Sequence, residues 1–245
     1  MRNENRIPPQ MNNKESFSRK EYLDAFMEEV SVVSEEQAVY ALRKSVSKGI
    51  IQRVGRNQYT TVKAKTAYRY RYSQEARHAA EKVQEEYPEV SFQIFELIQL
   101  NAFVNHQIAH NVVFVYVEND FIDFVFDSLH RLYPGKVLLK PSADAYYRYI
   151  TDDGIVVGRL PSESPKGREA QWHERIERIL VDIAVDKLLS RIVPQGEFVN
   201  IYETAYEKYL IDGKAMWRYA RRKGAEEKLR TVLKTYAPEF LEDLL

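Results

Sequence analysis

Cysteine is missing from all 245 positions of the chain. Its absence excludes disulfide bonds, thiolate catalysis and cysteine-based zinc sites, and it fits a protein of the reducing cytoplasm. Long apolar runs are missing as well: the longest, Val112–Val117, is far shorter than the roughly 20 residues that a transmembrane helix needs. Residues 1–10 lack the apolar core of a secretory signal. We therefore expect a cytoplasmic protein with no membrane partner.

Acidic residues are missing from a long stretch near the start of the chain. No Asp or Glu occurs between Gln37 and Gln74, although the stretch carries nine Lys and Arg residues. The formal net charge of zero thus conceals an asymmetry: residues 1–72 hold 14 basic and 8 acidic residues, and residues 73–245 hold 22 and 28. Binding to a polyanion requires a basic, acid-free surface. The front of the chain is therefore predicted to bind nucleic acid, and the remainder to serve another purpose.

The segment from Lys48 to Val62 has the pattern of a recognition-type helix end followed by a two-stranded wing. Its apolar and β-branched residues favour two short strands, and Gly55-Arg56-Asn57 supplies the chemistry of the turn between them. Two cations, Arg53 and Arg56, fall near the tip, where a wing contacts phosphate. The pattern predicts a winged helix-turn-helix module that binds DNA.

The helix before the wing is predicted from Ser34-Glu-Glu-Gln37, which has the form of a capping box, to about Lys48. Its inward stripe is expected to be Val39, Leu42 and Val46. The opposite face could lie in a major groove, although Glu35 and Glu36 add acid to its first turn. The full set of predicted DNA-contacting residues is Gln37, Tyr40, Arg43, Lys44, Lys48, Arg53, Arg56 and Asn57.

The domain organisation follows from shifts in composition along the chain. Residues 1–15 are polar and are expected to be poorly ordered, 16–65 form the winged module, 66–89 form a linker and a connecting helix, and 90–245 form an α/β domain that ends in helices. The fold class is thus α/β (α+β). In residues 63–72, tyrosines alternate with cations; they could stack on bases, or they could pack onto the second domain.

The α/β domain is predicted from alternating strand and helix patterns. Strands are expected at 92–96, 112–117, 136–140 and 154–160, and helices at 121–132 and, in short form, at 100–106 and 143–147. The C-terminal third is predicted to be helical over 173–190, 198–210, 214–222 and 226–236. A helix over 73–86 precedes all of these and is stopped by Pro88.

Groups with catalytic potential are scattered in this domain. His106 and His110 have the four-residue spacing of a shared metal site, but ordinary histidines explain them better. Glu118 and Asp120 follow a strand and could join Glu96 or Asp144 in a nuclease-like carboxylate cluster. The loop Ser162–Gly167 holds serines, an acid and a lysine without a base to activate them. We predict no catalytic residue, no metal ligand and no cofactor.

A second basic patch is predicted near the C-terminus. The segment Met216–Lys223 places Arg218, Arg221 and Arg222 close together on one helix, with Trp217 and Tyr219 turned inward. The patch could contact phosphate or an acidic partner, or it could be a solvated helix face.

Several of these motifs together resemble the AbiEi-type antitoxins of type IV toxin–antitoxin (abortive infection) systems. The resemblance is carried by the wing motif around Gly49–Tyr59, by Ser162–Pro165, by the helix segment Ile176–Asp182 and by Met216–Arg222. The wing departs from the family pattern in having Asn57 where glycine is usual.

The resemblance implies a repressor of its own promoter whose C-terminal domain counteracts a nucleotidyltransferase-like toxin. By that analogy the partners are duplex DNA from the protein's own promoter, a cognate toxin and a second copy in a homodimer, since one small module rarely supplies enough specificity. Two alternatives stay open from the residues alone. One is a metal-dependent nuclease or nucleotidyltransferase-like enzyme in the α/β domain, and the other is a protein-interaction module that does not bind DNA.

Overall fold

The computed structural model describes residues 7–11, 14, 16–29, 34–47, 50–61 and 65–244. The chain divides into two compact units, Met1–Thr66 and Ala67–Leu245. Each unit contains a sheet of its own, and helices make up much of the remainder. The α+β class predicted from the sequence is confirmed.

The N-terminal unit, residues 1–66, combines two helices with a small antiparallel sheet. Its elements are a 3-10 turn at Pro9–Met11, strand β1 (Phe17–Ser18), helices α1 (Arg19–Glu29) and α2 (Glu35–Ser47), and strands β2 (Gln52–Gly55) and β3 (Gln58–Thr60). The sheet order is β1-β3-β2, and both pairings are antiparallel. The hairpin β2–β3 follows the two helices, and β3 also pairs with β1, which precedes them. This is the arrangement of a winged helix-turn-helix.

Both helices of this unit begin at reciprocal caps. The Ser34 amide donates to Gln37 Oε1 at 3.2 Å, and the Gln37 amide donates to Ser34 Oγ at 3.4 Å. Ser18 and Glu21 form the same pair at the start of α1, at 2.7 and 3.1 Å. Each pair satisfies amide groups that the first helical turn leaves without a partner. The capping box predicted at Ser34 is confirmed.

The turn of the wing is one residue shorter than predicted. Gly55 belongs to β2 and pairs with Gln58, so that the turn itself consists of Arg56 and Asn57. Asn57 adopts a left-handed φ of 57°, a conformation that asparagine tolerates better than most residues. The register shifts between Arg53 and Gly55, and such a bulge increases the local twist of a hairpin.

The inward face predicted for α2 is confirmed. Leu42 is buried, and Val39 and Val46 are partly buried and pack against the same core. The buried positions of α2 are Ala38, Ala41, Leu42 and Ser45. Small residues take most of these positions because the aromatic side chains of Phe17, Tyr22 and Phe26 fill the core of this unit.

The second unit, residues 67–245, is built on a four-stranded mixed sheet. Helix α3 (Gln74–Glu86), capped by Ser73, leads into β4 (Phe92–Glu96) and then β5 (Val112–Val117); α4 (Ile122–Leu132), β6 (Val137–Leu139), α5 (Ala143–Tyr149) and β7 (Gly154–Arg159) follow. The order is β4-β5-β7-β6. The strands β5, β7 and β6 run parallel, and β4 is antiparallel to β5.

Strand β5 shows why this sheet needs cover on both faces. Val113, Val115 and Val117 pack with α3 and α4 on one face, whereas Phe114 and Tyr116 pack with the C-terminal helices on the other. Alternate side chains of a strand point to opposite faces. Burial of each of these apolar side chains contributes about 1.5–3 kcal/mol to the free energy of folding. The sheet is therefore the middle of three layers, with helices packed on both faces.

The C-terminal helices form the layer on the second face. They are α6 (Ile176–Val185), α7 (Leu189–Ile192), α8 (Phe198–Lys208), α9 (Gly213–Arg222), α10 (Glu226–Tyr236) and α11 (Pro238–Asp243). The single helix predicted over 173–190 is wrong, because Asp186 ends α6 and its Oδ1 accepts from the amides of Leu188 and Leu189. The short helix predicted over 100–106 is a 3-10 helix at Leu97–Ala102.

Candidate functional site

The outer face of α2 presents polar, aromatic and basic side chains. Gln37 and Arg43 are exposed, and the Tyr40 ring is 59% exposed. The ammonium group of Lys44 lies 5.6 Å from the centre of that ring, close enough for a cation–π contact. The outer face of α2 therefore offers an aromatic ring next to a cation, both accessible to a partner.

The wing extends the basic surface of this unit. Arg53, Arg56 and Asn57 are all exposed, and Arg56 and Asn57 form the turn. Lys48, the eighth predicted contact, lies outside the described residues. The structure thus brings seven of the eight predicted positions onto one helix and the adjoining hairpin.

Acid is confined to one end of α2. Glu35 and Glu36 occupy its first turn and are exposed, where they favour the helix dipole. The sequence from Gln37 onward to Gln74 contains no acid. A polyanion would therefore meet attraction along the middle and end of α2 and at the wing, but repulsion at the helix start.

The tyrosines of the segment after residue 65 serve the structure of the second unit. Tyr72 is buried, and its hydroxyl donates to the Ile94 carbonyl at 3.0 Å and accepts from the Glu174 amide at 2.6 Å. Tyr68 and Tyr70 pack at the edges of the two cores of this unit. Of the two interpretations left open for these residues, the packing one is correct.

The two histidines considered as metal ligands have separate acidic partners. His106 Nδ1 lies 2.7 Å from Glu197 Oε1, and His110 Nδ1 lies 2.8 Å from Asp152 Oδ1. The hydrogen bond from His106, together with bonds from Asn200 and the Asn105 amide, lowers the pKa of Glu197 to about 2. These pairs fix loops and leave no shared site for an ion.

The carboxylate cluster of the enzyme alternative does not form as the sequence suggested. Phe92 pairs with Val117 and Glu96 with Val113, so Glu96 and Glu118 lie at opposite ends of β5. Glu96 accepts from the Ser73 amide and the Asn111 side chain. Within the described part of the chain, no three Asp, Glu or His side chains come together to hold a metal.

A buried ionic network lies between the sheet and α6. The Arg178 guanidinium is 1% exposed; its Nη1 donates to Glu174 Oε2 and to Gln93 Oε1, both at 2.8 Å, and its Nε lies 3.2 Å from Asp182 Oδ2. The guanidinium carbon is 4.2 Å from the centre of the Tyr116 ring. Arg178 thereby ties the sheet to the helical layer.

The remaining members of this network come from α9 and its C-terminal end. The Tyr219 hydroxyl lies 3.0 Å from Asp182 Oδ1, and Lys223 Nζ lies 2.6 Å from the same oxygen. Burial raises the pKa of Glu174 to about 8, against an opposing effect of Arg178. Sequence reasoning missed this network, although charged residues at four-residue spacing in an otherwise apolar helix, Arg178 and Asp182, were a usable signal.

A cleft of about 680 Å³, here termed the edge cleft, opens at the carboxyl ends of β5 and β7. The loop Ser162–Gly167 forms one of its walls. Gln93, which belongs to β4, and Trp172 also line the cleft. Its charged lining residues are Glu118, Arg159, Glu163 and Lys166. Glu118 accepts from the Ser91 amide at 2.9 Å.

The second basic patch is split by the structure. Arg218 and Arg221 line a shallow depression together with Trp217 and Arg230. Arg222 instead points to the Ser162–Gly167 loop, where its Nε donates to Ser162 Oγ at 2.7 Å. Arg222 thus differs from Arg218 and Arg221 in having a hydrogen-bond partner in the Ser162–Gly167 loop. Trp217 and Tyr219 turn inward, as predicted.

A family model matches residues 37–239, and its description is DUF6577, a family of unknown function. The chain belongs to this family. The match begins in α2 and extends to the start of α11, so that the wing, the edge cleft and the Arg178 network all fall inside the region shared with DUF6577. No curated protein matches the chain.

None of the helices in the described residues has the length and apolar character needed to cross a bilayer.

Proposed function

We propose that the chain is a cytoplasmic, DNA-binding transcriptional regulator that represses its own promoter. Its N-terminal unit inserts the outer face of α2 into the major groove and lays the wing along the backbone. The observation that carries this proposal is the exposure of Tyr40 and Arg43 on a capped helix, next to a hairpin whose turn carries Arg56. Exposed cations on adjoining elements would neutralise phosphates of a duplex.

Within this interface, phosphate and base contacts fall to different residues. Arg53 and Arg56 lie on the wing and would neutralise phosphates, which supplies affinity without sequence information. Tyr40 and Arg43 lie on the helix face and would read base edges, since a guanidinium group suits guanine. Gln37 Oε1 accepts from the Ser34 amide in the cap, which leaves the side-chain NH2 of Gln37 to donate to a base. Because Glu35 and Glu36 repel phosphate, most base contacts would come from the middle turns of α2.

The second unit is proposed to bind a protein partner. By the resemblance to AbiEi-type antitoxins, this partner is a nucleotidyltransferase-like toxin, and binding relieves its toxicity in abortive infection. The depression lined by Arg218, Arg221 and Arg230 supports an acidic partner surface, because three arginines there outnumber Glu226, which pairs with Arg221 and Arg230 at 3.7 Å. A homodimer on a repeated operator would supply the specificity that one module lacks.

The test of the wing is the salt dependence of DNA binding. Arg53→Ala/Arg56→Ala should lower affinity for any duplex and reduce the slope of log K against log salt concentration by about 2, because two phosphate contacts are lost. Fluorescence anisotropy over a salt series measures both quantities.

The matched control is Lys228→Ala/Lys234→Ala, which removes the same charge from exposed positions of α10. The control should leave the slope unchanged. An equal loss of slope in both double variants would show that net charge alone, and not the wing, governs binding.

A further inference from the structure

We propose that the edge cleft binds a small ligand of the mononucleotide class. The phosphate group of the ligand would contact Arg159 and Lys166, and its planar base would lie against Trp172. This binding site goes beyond the proposed DNA-binding function and does not depend on it, since every residue involved belongs to the second unit.

The position of the cleft in the sheet is the first argument. Val117 pairs with Arg159 in the parallel β5–β7 ladder, so the residues that follow both strands emerge side by side. The chain from β5 passes through α4 to β6 and returns to β7, which lies between them. Ligands of open α/β sheets bind outside the carboxyl ends of parallel strands, where strand order reverses. The edge cleft occupies that place.

The wall formed by Ser162–Gly167 is held in a fixed shape. Gln93 Nε2 donates to the Pro165 carbonyl at 2.6 Å, Ser164 Oγ donates to the Pro161 carbonyl at 2.7 Å, and Arg222 Nε donates to Ser162 Oγ. A Cβ at Gly167 would come within 2.2 Å of the Ala170 carbonyl oxygen, so only glycine fits there. Because the conformation of this loop is already fixed, ligand binding would not carry the entropic cost of ordering it.

Strain is stored in the same wall. Glu163 adopts a left-handed φ of 61°, which costs a residue with a Cβ conformational free energy. Residues of this kind concentrate at ligand-binding sites, where the surrounding structure compensates for the strain. The fixed backbone on both sides of Glu163 supplies that compensation here.

Two cations and two acids line the cleft: Arg159 and Lys166, and Glu118 and Glu163. The side chains of Arg159 and Lys166 are exposed and, within the described residues, form no hydrogen bond or ion pair, so they are the groups that would contact an anion. Glu118 accepts from the Ser91 amide. Ser162 accepts from Arg222, so its own hydroxyl proton remains available to donate to a phosphate oxygen. Guanidinium, ammonium and hydroxyl donors in one cleft are the groups that bind phosphate.

The remaining walls favour a planar ring next to the phosphate. Trp172 is partly buried and lines the cleft; its ring packs against Tyr72 and His173, with ring centres 4.8 and 4.3 Å apart, and its carbonyl accepts from the Ile94 amide at 2.9 Å, so its position is fixed. Indole faces stack readily on bases. The volume of about 680 Å³ lies inside the range of roughly 300–1,000 Å³ that small-molecule sites occupy.

Titration calorimetry of the full chain with adenosine 5′-monophosphate, adenosine and inorganic phosphate tests the site. We expect saturable binding of the nucleotide at or below about 1 mM, and weaker binding of adenosine and phosphate alone. Lys166→Gln and Arg159→Gln should each weaken nucleotide binding roughly tenfold through loss of a charge-assisted hydrogen bond.

Arg168→Gln is the matched control, because Arg168 is exposed and close to Lys166 in sequence but lies outside the edge cleft. It should bind the nucleotide as the wild type does. Absence of saturable binding, equal weakening by Arg168→Gln and Lys166→Gln, or binding of phosphate as tight as that of the nucleotide would overturn the proposal. Because no DNA is present in this assay, its failure would leave the promoter-binding function untouched.

Discussion

Helices α2 and α6 both carry arginine, but α2 exposes Arg43 to solvent whereas α6 encloses Arg178 between the sheet and α9. Around Arg178 stand carboxylates, a tyrosine ring and an amide that satisfy most of its donors. The residues that α2 buries are alanine, leucine and serine, and none of them is charged. Arg43 is therefore accessible to a ligand, whereas Arg178 stabilises the fold.

The largest effect that tests this comparison is expected on stability, when Arg178 is replaced by alanine. Arg178→Ala should lower the free energy of unfolding of the second unit by about 3–5 kcal/mol, because it removes the guanidinium that Glu174, Asp182 and Gln93 share in the buried network. Urea denaturation followed by tryptophan fluorescence reports this unit selectively, since both tryptophans, Trp172 and Trp217, belong to it.

Arg168→Ala, an exposed arginine of the same unit, is the control and should change stability by less than about 0.5 kcal/mol. A loss of under about 1 kcal/mol in Arg178→Ala would mean that the network is dispensable.

A second effect, which depends on pH, is expected from the protonation of Glu174. Its pKa in the folded protein is raised to about 8 by burial, whereas an unfolded glutamate titrates near its ordinary value. The folded state therefore binds the extra proton, and the stabilisation present at low pH is lost as the pH rises toward about 8. Comparing the pH dependence of unfolding in wild type and Glu174→Gln cancels the contributions of other groups.

The wild type should lose stability relative to Glu174→Gln between pH 5 and about 8. Parallel curves over that range would contradict a raised pKa and would mean that Glu174 is ionised beside Arg178.

Local signals were the parts of the fold that sequence could reveal. The Ser34–Gln37 cap, β5 and the helix at Glu226–Tyr236 were predicted because a few adjacent residues specify each of them. The break at Asp186 was missed, since the side chain that ends α6 also begins α7, and the apolar spacing continues through it.

The sites divide in the same way. The positions on α2 and the wing could be named because their exposure follows from helical and hairpin periodicity. The Arg178 network could not, because its partners Gln93 and Tyr219 lie 85 and 41 positions away in the chain. The edge cleft likewise depends on which strands become neighbours, and that pairing is a property of the whole sheet.

The most direct test of the central claim is anisotropy of the full chain with a duplex from upstream of its own gene and with a scrambled duplex of the same composition. The wild type should prefer the native duplex by tenfold or more, roughly the discrimination of one good base contact. Arg43→Ala should lose much of this preference and keep its stability. Equal, purely salt-driven affinity for the two duplexes would contradict a promoter-specific regulator.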